Sequence, residues 1–238
     1  MANRSLVPIK KDTLQDRIYA QLKLALMSGA FAPGQSVTLR GVAQQLGTSA
    51  MPIRDAIRRL VSDHALEMPS LRSIRVPVMS VERHESVLRV RKLLEGEAAA
   101  IAALKASRED VAQLVRMNAD YADALTTDDV AAILTANRVF HFEVYRLAAD
   151  PLLLALIEKA WLLSGPYLNL LRDRISAAPD RRSYVSKHDV LIKALRLKNS
   201  ERARAAVAAD IEDAADLYRD LIRQRTESKF VGARRMRS

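Results

Sequence analysis

Apolar residues recur at helical spacing along almost the whole chain. A first amphipathic stretch spans about 12–28, with Leu14, Ile18, Leu22, Ala25 and Leu26 on one face and Gly29 as its stop. After a loop at 31–35 come a short helix at about 39–46, a turn at Gly47-Thr48-Ser49, and a helix from about 51 to 63. Pro52 suits the first turn of that helix, where its missing N–H costs nothing. The period then changes: 65–68 and 74–78 read as two short strands around a polar tip. From Val81 onward the pattern is helical again, at about 81–105, 108–126, 128–148, 151–172, 182–198 and 201–226. Ser107, Thr127 and Ser200 stand where N-caps belong, and the Pro166 and Pro179 regions are expected to kink or end helices.

This order predicts a mainly α protein in two parts. Residues 1–79 form a small winged helix-turn-helix domain: two helices around a Gly-containing turn, then a hairpin. Residues 80–230 form an all-α helical-bundle domain, followed by a basic tail at 231–238.

Composition narrows the chemistry. With 7 Gly and 8 Pro in 238 residues, the chain favours helix throughout. The absence of Cys excludes disulfides, a thiolate metal site and a Cys nucleophile, and fits a reducing compartment. The longest apolar run, 152–157, falls far short of the ~18 residues of a membrane span. Arg4, Lys10 and Lys11 without an apolar segment do not make a signal peptide, so a cytoplasmic protein is expected.

The net charge of +10 is uneven. Residues 1–79 hold 11 basic and 5 acidic side chains, 80–222 hold 21 and 22, and 223–238 hold 6 and 1. A neutral body between basic ends points to an anionic partner, nucleic acid being the usual one, although a solvated end would explain the tail equally well.

In the N-terminal part the second helix of the motif would enter the major groove by its first turn, where Thr48, Ser49, Met51 and Arg54 lie. Arg54 and Arg58 are four apart and share a face, so one can reach a base edge and the other a phosphate. A plain three-helix bundle with solvated arginines would show the same spacing. The stretch from Leu39 to Leu60, with Ser49, Pro52, Arg54 and Ala56, resembles the operator-reading motif of the GntR superfamily. The resemblance implies DNA contacts from Arg40, Arg54 and Arg58, with Arg72 on the wing. Two positions depart from the family pattern: Ala50 and Met51 replace its usual Arg and Thr, and Ser73 replaces the wing Gly.

In the larger part, polar residues interrupt apolar stripes. Asn137 and His141 lie one turn apart among Val130, Ile133, Leu134, Phe140 and Val144. His188 aligns with Val185, Leu191, Ile192 and Leu195, and Asp210 with Ala203, Ala206, Val207 and Ala214. Buried polar residues need partners. Each alone could bond backbone, but His188 and Asp210 are both 11 residues from Asn199, so an antiparallel hairpin sets them at one height, about 16 Å along. Two imidazoles, a carboxylate and an amide suit a divalent cation: zinc, nickel or manganese.

This set, with Arg91 and Leu93-Leu94-Glu95, resembles the FCD effector domain of the FadR subgroup. Its metal-binding members carry Asp-x-x-x-His, His and His; here Asn137 replaces the Asp and Asp210 the last His, which leaves the formal ligand charge unchanged. Asn137 is the weakest donor of the four. The resemblance implies a homodimer on a near-palindromic double-stranded DNA operator and a small organic acid effector on the metal, with Arg91 as counter-charge. A metal-free effector pocket is the alternative, and Arg91 could equally pair with Glu95. The rival class is a metal-dependent enzyme fused to a DNA-binding head. It finds no His-Glu-x-x-His, phosphate loop or Ser-His-Asp set, so the chain is not expected to be an enzyme.

Overall fold

The computed structural model describes residues 13–70, 73–78, 80–177 and 182–235. Thr13 opens α1 (Leu14–Met27) with a reciprocal capping box, its hydroxyl accepting from Asp16 N while the Asp16 carboxylate accepts from Thr13 N. There follow β1 (Ser36–Val37), α2 (Leu39–Gln45), α3 (Ala50–Ser62), β2 (Glu67–Ser70) and β3 (Ser73–Arg75). Ile18, Leu22 and Leu26 of α1 meet Ile53, Ala56, Ile57 and Leu60 of α3 in the head's core.

The wing is a three-stranded antiparallel sheet in the order β1-β3-β2, with Val37 opposite Ile74 and Glu67 opposite Arg75. Two differences from the sequence reading arise here. β1, only two residues long, offers no alternation to detect. The strands at 65–68 and 74–78 begin or end elsewhere because Ala65, Leu66 and Val76 are core-filling residues just outside the ladder.

The body consists of α4 (Val81–Lys105), α5 (Arg108–Ala124), α6 (Val130–Arg146), α7 (Pro151–Ala177), α8 (Arg182–Arg196) and α9 (Ser200–Arg235). Ala98, Ala99, Ala102 and Ala103 of α4 share a core with Ala203, Ala206 and Ala215 of α9, small residues that allow a close crossing. Ser107 caps α5 as expected, but Asp129 rather than Thr127 caps α6, and Asn199 rather than Ser200 accepts from Arg202 N at the start of α9. In both cases the side chain that bonds the third residue of the helix decides the cap. Pro166 does not end its helix: α7 runs through it, with Pro166 itself buried. α9 likewise continues past 226 to Arg235, so most of the basic tail is helical backbone. Arg72 and Pro179 lie outside the described residues.

Head and body share one continuous apolar core. Their junction is a crossing of α1 and α7 at two glycines. A Cβ on Gly165 would stand 2.1 Å from the Leu26 carbonyl oxygen and 2.7 Å from Met27 Cα. Gly29, at φ +68°, ends α1, and a Cβ there would meet Asn169 N and Leu168 Cβ at 2.9 Å. Around this seat Asn169 Nδ2 donates to Gly29 O at 3.0 Å, Lys23 pairs with Glu158 at 2.5 Å, and Lys159 pairs with Asp63 at 3.1 Å.

Candidate DNA-reading face and metal centre

One face of α3 is buried and the other is bare. Met51 is 68% exposed, and Arg54, Arg58 and Ser49 are exposed beside it, with Arg40 of α2 adjoining and Thr48 half-buried in the turn. Ser49 precedes the helix without making a side-chain cap bond, so its hydroxyl and the first N–H groups of α3 remain available. Arg58 approaches Asp55 only to 3.9 Å. Arg59, by contrast, is committed to the fold: it bonds Asp16 at 2.6 Å and lies 4.0 Å over the Tyr19 ring. The spacing of charged residues on α3 is thus divided between a structural and an available set.

In the body, α6, α8 and α9 bring His141, His188 and Asp210 together, with one ligand atom from each within 4.8 Å of the others. His141 Nε2 is 3.2 Å from His188 Nε2 and 3.2 Å from Asp210 Oδ2. Asn137, one turn before His141, lines the same cavity. The hairpin argument from Asn199 therefore places His188 and Asp210 correctly.

Neighbours fix which nitrogen of each imidazole carries its proton. Asn118 Nδ2 donates to the Asp189 carboxylate at 2.8 Å, which turns its Oδ1 toward His188 Nδ1 at 2.9 Å. Because Oδ1 can only accept, His188 Nδ1 is the protonated nitrogen. Tyr145 donates its hydroxyl to Glu95 Oε2 at 2.5 Å and so accepts from His141 Nδ1 at 3.3 Å. Both Nε2 atoms are left as lone pairs facing each other and a carboxylate. A proton on His141 would satisfy one of these contacts; a divalent cation satisfies all three. Two nitrogens each at 2.0–2.1 Å from a tetrahedral ion stand about 3.3 Å apart, and the observed separation is 3.2 Å. The donor set and its spacing fit a zinc-like ion.

The surroundings hold His188 neutral and Asp210 ionised, the latter by way of a second proton on His141 Nε2, which stands where a metal would. Burial, aided by His141 and opposed by Asp210, lowers the His188 pKa to about 3, so it is neutral. Burial pushes the Asp210 carboxyl up, but the hydrogen bond and charge of His141 outweigh it and hold the carboxyl below its ordinary value. Phe140 stacks on His188 with centroids 3.8 Å apart.

Arg91 belongs to this support. Its guanidinium bonds Glu95 twice, at 2.6 and 3.1 Å, and lies 4.5 Å over the Trp161 ring. The structure forms the intrahelical pair with Glu95, and Arg91 also lines the cavity, where its guanidinium can face a ligand. Asn118, Tyr145 and Glu95 were missed as site residues. Asn118 carried a signal, since it interrupts the apolar stripe of Val111, Leu114 and Tyr121 just as Asn137 interrupts that of α6.

The centre opens into a cavity of about 370 Å³ among α4, α5, α6, α7, α8 and α9. Trp161, Ser164, Tyr167 and Leu168 of α7 line it, while Glu158, Gly165 and Asn169 of the same helix hold the head. Burial lowers the pKa of His84, on the cavity wall, to about 4. Among the described residues no helix is long and apolar enough to cross a membrane.

A winged helix-turn-helix head on an all-helical body with an internal chamber defines a DNA-binding transcription regulator. The FCD domain family matches residues 86–213, and the bacterial regulatory proteins of the gntR family match residues 14–76. The chain is 30% identical to the HTH-type transcriptional regulator McbR of Escherichia coli strain K12, over 84% of this chain and 90% of that one. It is 24% identical to the Uxu operon regulator of Haemophilus influenzae, over 83% and 79%. The structure of E. coli McbR/YncC superposes with a TM-score of 0.83 at 28% identity, covering 88% of this chain and 99% of that one. This chain belongs to the GntR family of transcription regulators and carries an FCD domain. Its relatives are regulators rather than enzymes.

Proposed function

We propose that this protein is a ligand-responsive regulator that binds a near-palindromic operator as a homodimer in the cytoplasm. Residues 1–79 read DNA and 80–230 sense the ligand, with the basic end from 231 adding nonspecific attraction. Arg54 and Met51 face base edges in the major groove. Arg40, Thr48, Ser49, Arg58 and Arg72 contact backbone or groove edge. A divalent metal, zinc, nickel or manganese, sits on His141, His188 and Asp210 with Asn137 as an optional fourth donor, and a small organic acid binds at or beside it.

The single observation that carries this reading is the chamber wall: α7 lines the cavity at Trp161 and Tyr167 and seats the reading head at Gly165 and Asn169. A ligand that moves α7 moves the head. A metal-free pocket is the second reading, favoured by the His141–Asp210 contact at 3.2 Å, which a proton can bridge.

Operator selection from randomised DNA, with and without chelator and acids, tests the proposal. Arg54→Ala should lose about 1–3 kcal/mol of discrimination at one base position. Arg58→Ala should weaken all sequences alike and reduce the salt dependence. Equal losses of specific and nonspecific binding in Arg54→Ala would refute the placement of α3. A melting point unmoved by chelator and by all three metals would refute the metal in favour of the metal-free pocket.

A further inference from the structure

The charges facing the cavity are paired in a way that limits what it can accept. Arg91 is neutralised by the buried carboxylate of Glu95, which bonds it twice. Lys187 on α8 is paired with Asp213 on α9, and both line the cavity. Burial keeps His84 neutral. Asp210 then remains as the one carboxylate among the described lining residues without a full cationic partner. Without a metal, these lining groups together with Glu95 sum to −1, a site that repels acids. With a divalent cation on His141, His188 and Asp210 they sum to +1.

We infer that the cavity takes a compact monoanionic carboxylate with an apolar or aromatic body, and that the Lys187–Asp213 pair is the device that excludes dianions. The inference rests on the metal reading above. One negative charge neutralises the loaded site. A second would leave an uncompensated charge among Tyr121, Leu134, Tyr167 and Tyr218, in a medium that solvates it poorly. At ~30 Å³ per water-sized group, 370 Å³ holds about a dozen such groups, enough for an aryl or cycloalkyl acid. Were Asp213 uncharged, Lys187 would become a second anion receptor at the same cavity. Asp213 is 54% exposed, so the exchange leaves the core intact.

The test uses the full chain in calorimetric titration. Zinc, nickel and manganese are first added alone to chelator-stripped protein. Uptake of none of them would sink the metal reading, and this inference with it, by a signature separate from any acid result. Benzoate, cyclohexanecarboxylate and phthalate are then titrated into metal-loaded protein. Benzoate or cyclohexanecarboxylate should bind at least tenfold more tightly than phthalate, and chelator should abolish all binding. In Asp213→Asn the ratio of benzoate to phthalate affinity should narrow at least threefold with metal uptake unchanged. The inference is overturned by phthalate matching the monoacids, by no monoacid binding at all, or by acid binding that survives chelation. An unaltered ratio in Asp213→Asn would overturn the role of the Lys187–Asp213 pair.

Discussion

Replacing Asn118 by leucine tests how the metal centre is held. The side chain is buried at 4% exposure, and leucine has similar volume, so packing changes little. Two hydrogen bonds disappear: the one accepted from His188 Nδ1 at 2.9 Å and the one donated to Asp189 at 2.8 Å. Leaving a buried donor unsatisfied costs about 1–3 kcal/mol. For a chain of this size that lowers Tm by roughly 2–4 °C per kcal/mol. The loss specific to the site is different. Without Asn118 the His188 proton is free to move to Nε2, where it occupies the metal's place. Groups that orient a metal-bound histidine are worth 10–100-fold in affinity, or ~1.4–2.8 kcal/mol. Competition titration with a chromogenic chelator measures that loss, and calorimetry measures the stability loss separately. A lowered Tm with wild-type metal affinity in Asn118→Leu would refute the argument and leave Asn118 a packing residue.

His188→Ala and Asp210→Ala should behave as a pair, each losing most bound metal and its thermal shift while retaining DNA binding in the apo form; elemental analysis and melting curves with chelator decide it. Gly165→Ala forces a methyl against the Leu26 carbonyl, so overpacking should cost about 1–3 kcal/mol and uncouple operator affinity from ligand, with metal uptake preserved; an unchanged Tm would mean that α1 and α7 do not meet there. His84 has its pKa lowered from 6.5 to about 4 by burial, so below pH 6.5 the unfolded chain takes up the proton first. Stability should therefore be full above pH 6.5 and fall as pH drops toward 4, by up to roughly 3 kcal/mol at ~1.4 kcal/mol per pH unit. His84→Phe, which keeps a ring against Tyr167 and Tyr218, should remove the share of that slope due to His84 and leave the share of His188, whose pKa burial also lowers; identical slopes would exclude His84 as a source.

Periodicity made most helices of the body legible, because they bury one stripe and expose the other; α4 over 98–103 and α7 over 160–170 are buried nearly all round, and there the helix-favouring composition carried the reading. Periodicity also revealed His141, His188 and Asp210, since a polar residue inside an apolar stripe demands a partner and the short turn at Asn199 ties two of them to one height. What lay beyond reach depended on which helices are neighbours. Tyr145 looks like any core aromatic until α4 is known to bring Glu95 beside it. Arg91 could serve a ligand or Glu95 equally well by spacing; the structure pairs it with Glu95 and sets it on the cavity wall as well. Of the two outcomes expected at Pro166, a kink or an end, α7 excludes the end, since it runs unbroken from Pro151 to Ala177. The two-residue strand β1 carries no pattern of its own and exists only as a partner for β3.

The seat at Gly29 and Gly165 also bears on how freely such proteins exchange parts. A reading head joined only by a flexible linker could be traded for another without regard to the body beneath it. Here the head's first helix rests backbone against backbone on the chamber wall, and no side chain larger than hydrogen fits at either position. A transplanted head must therefore bring its own glycine, its own Lys23 for Glu158 and a carbonyl in place for Asn169. A chimera lacking them would still contain a sensor and a DNA reader, but the two would no longer be one instrument.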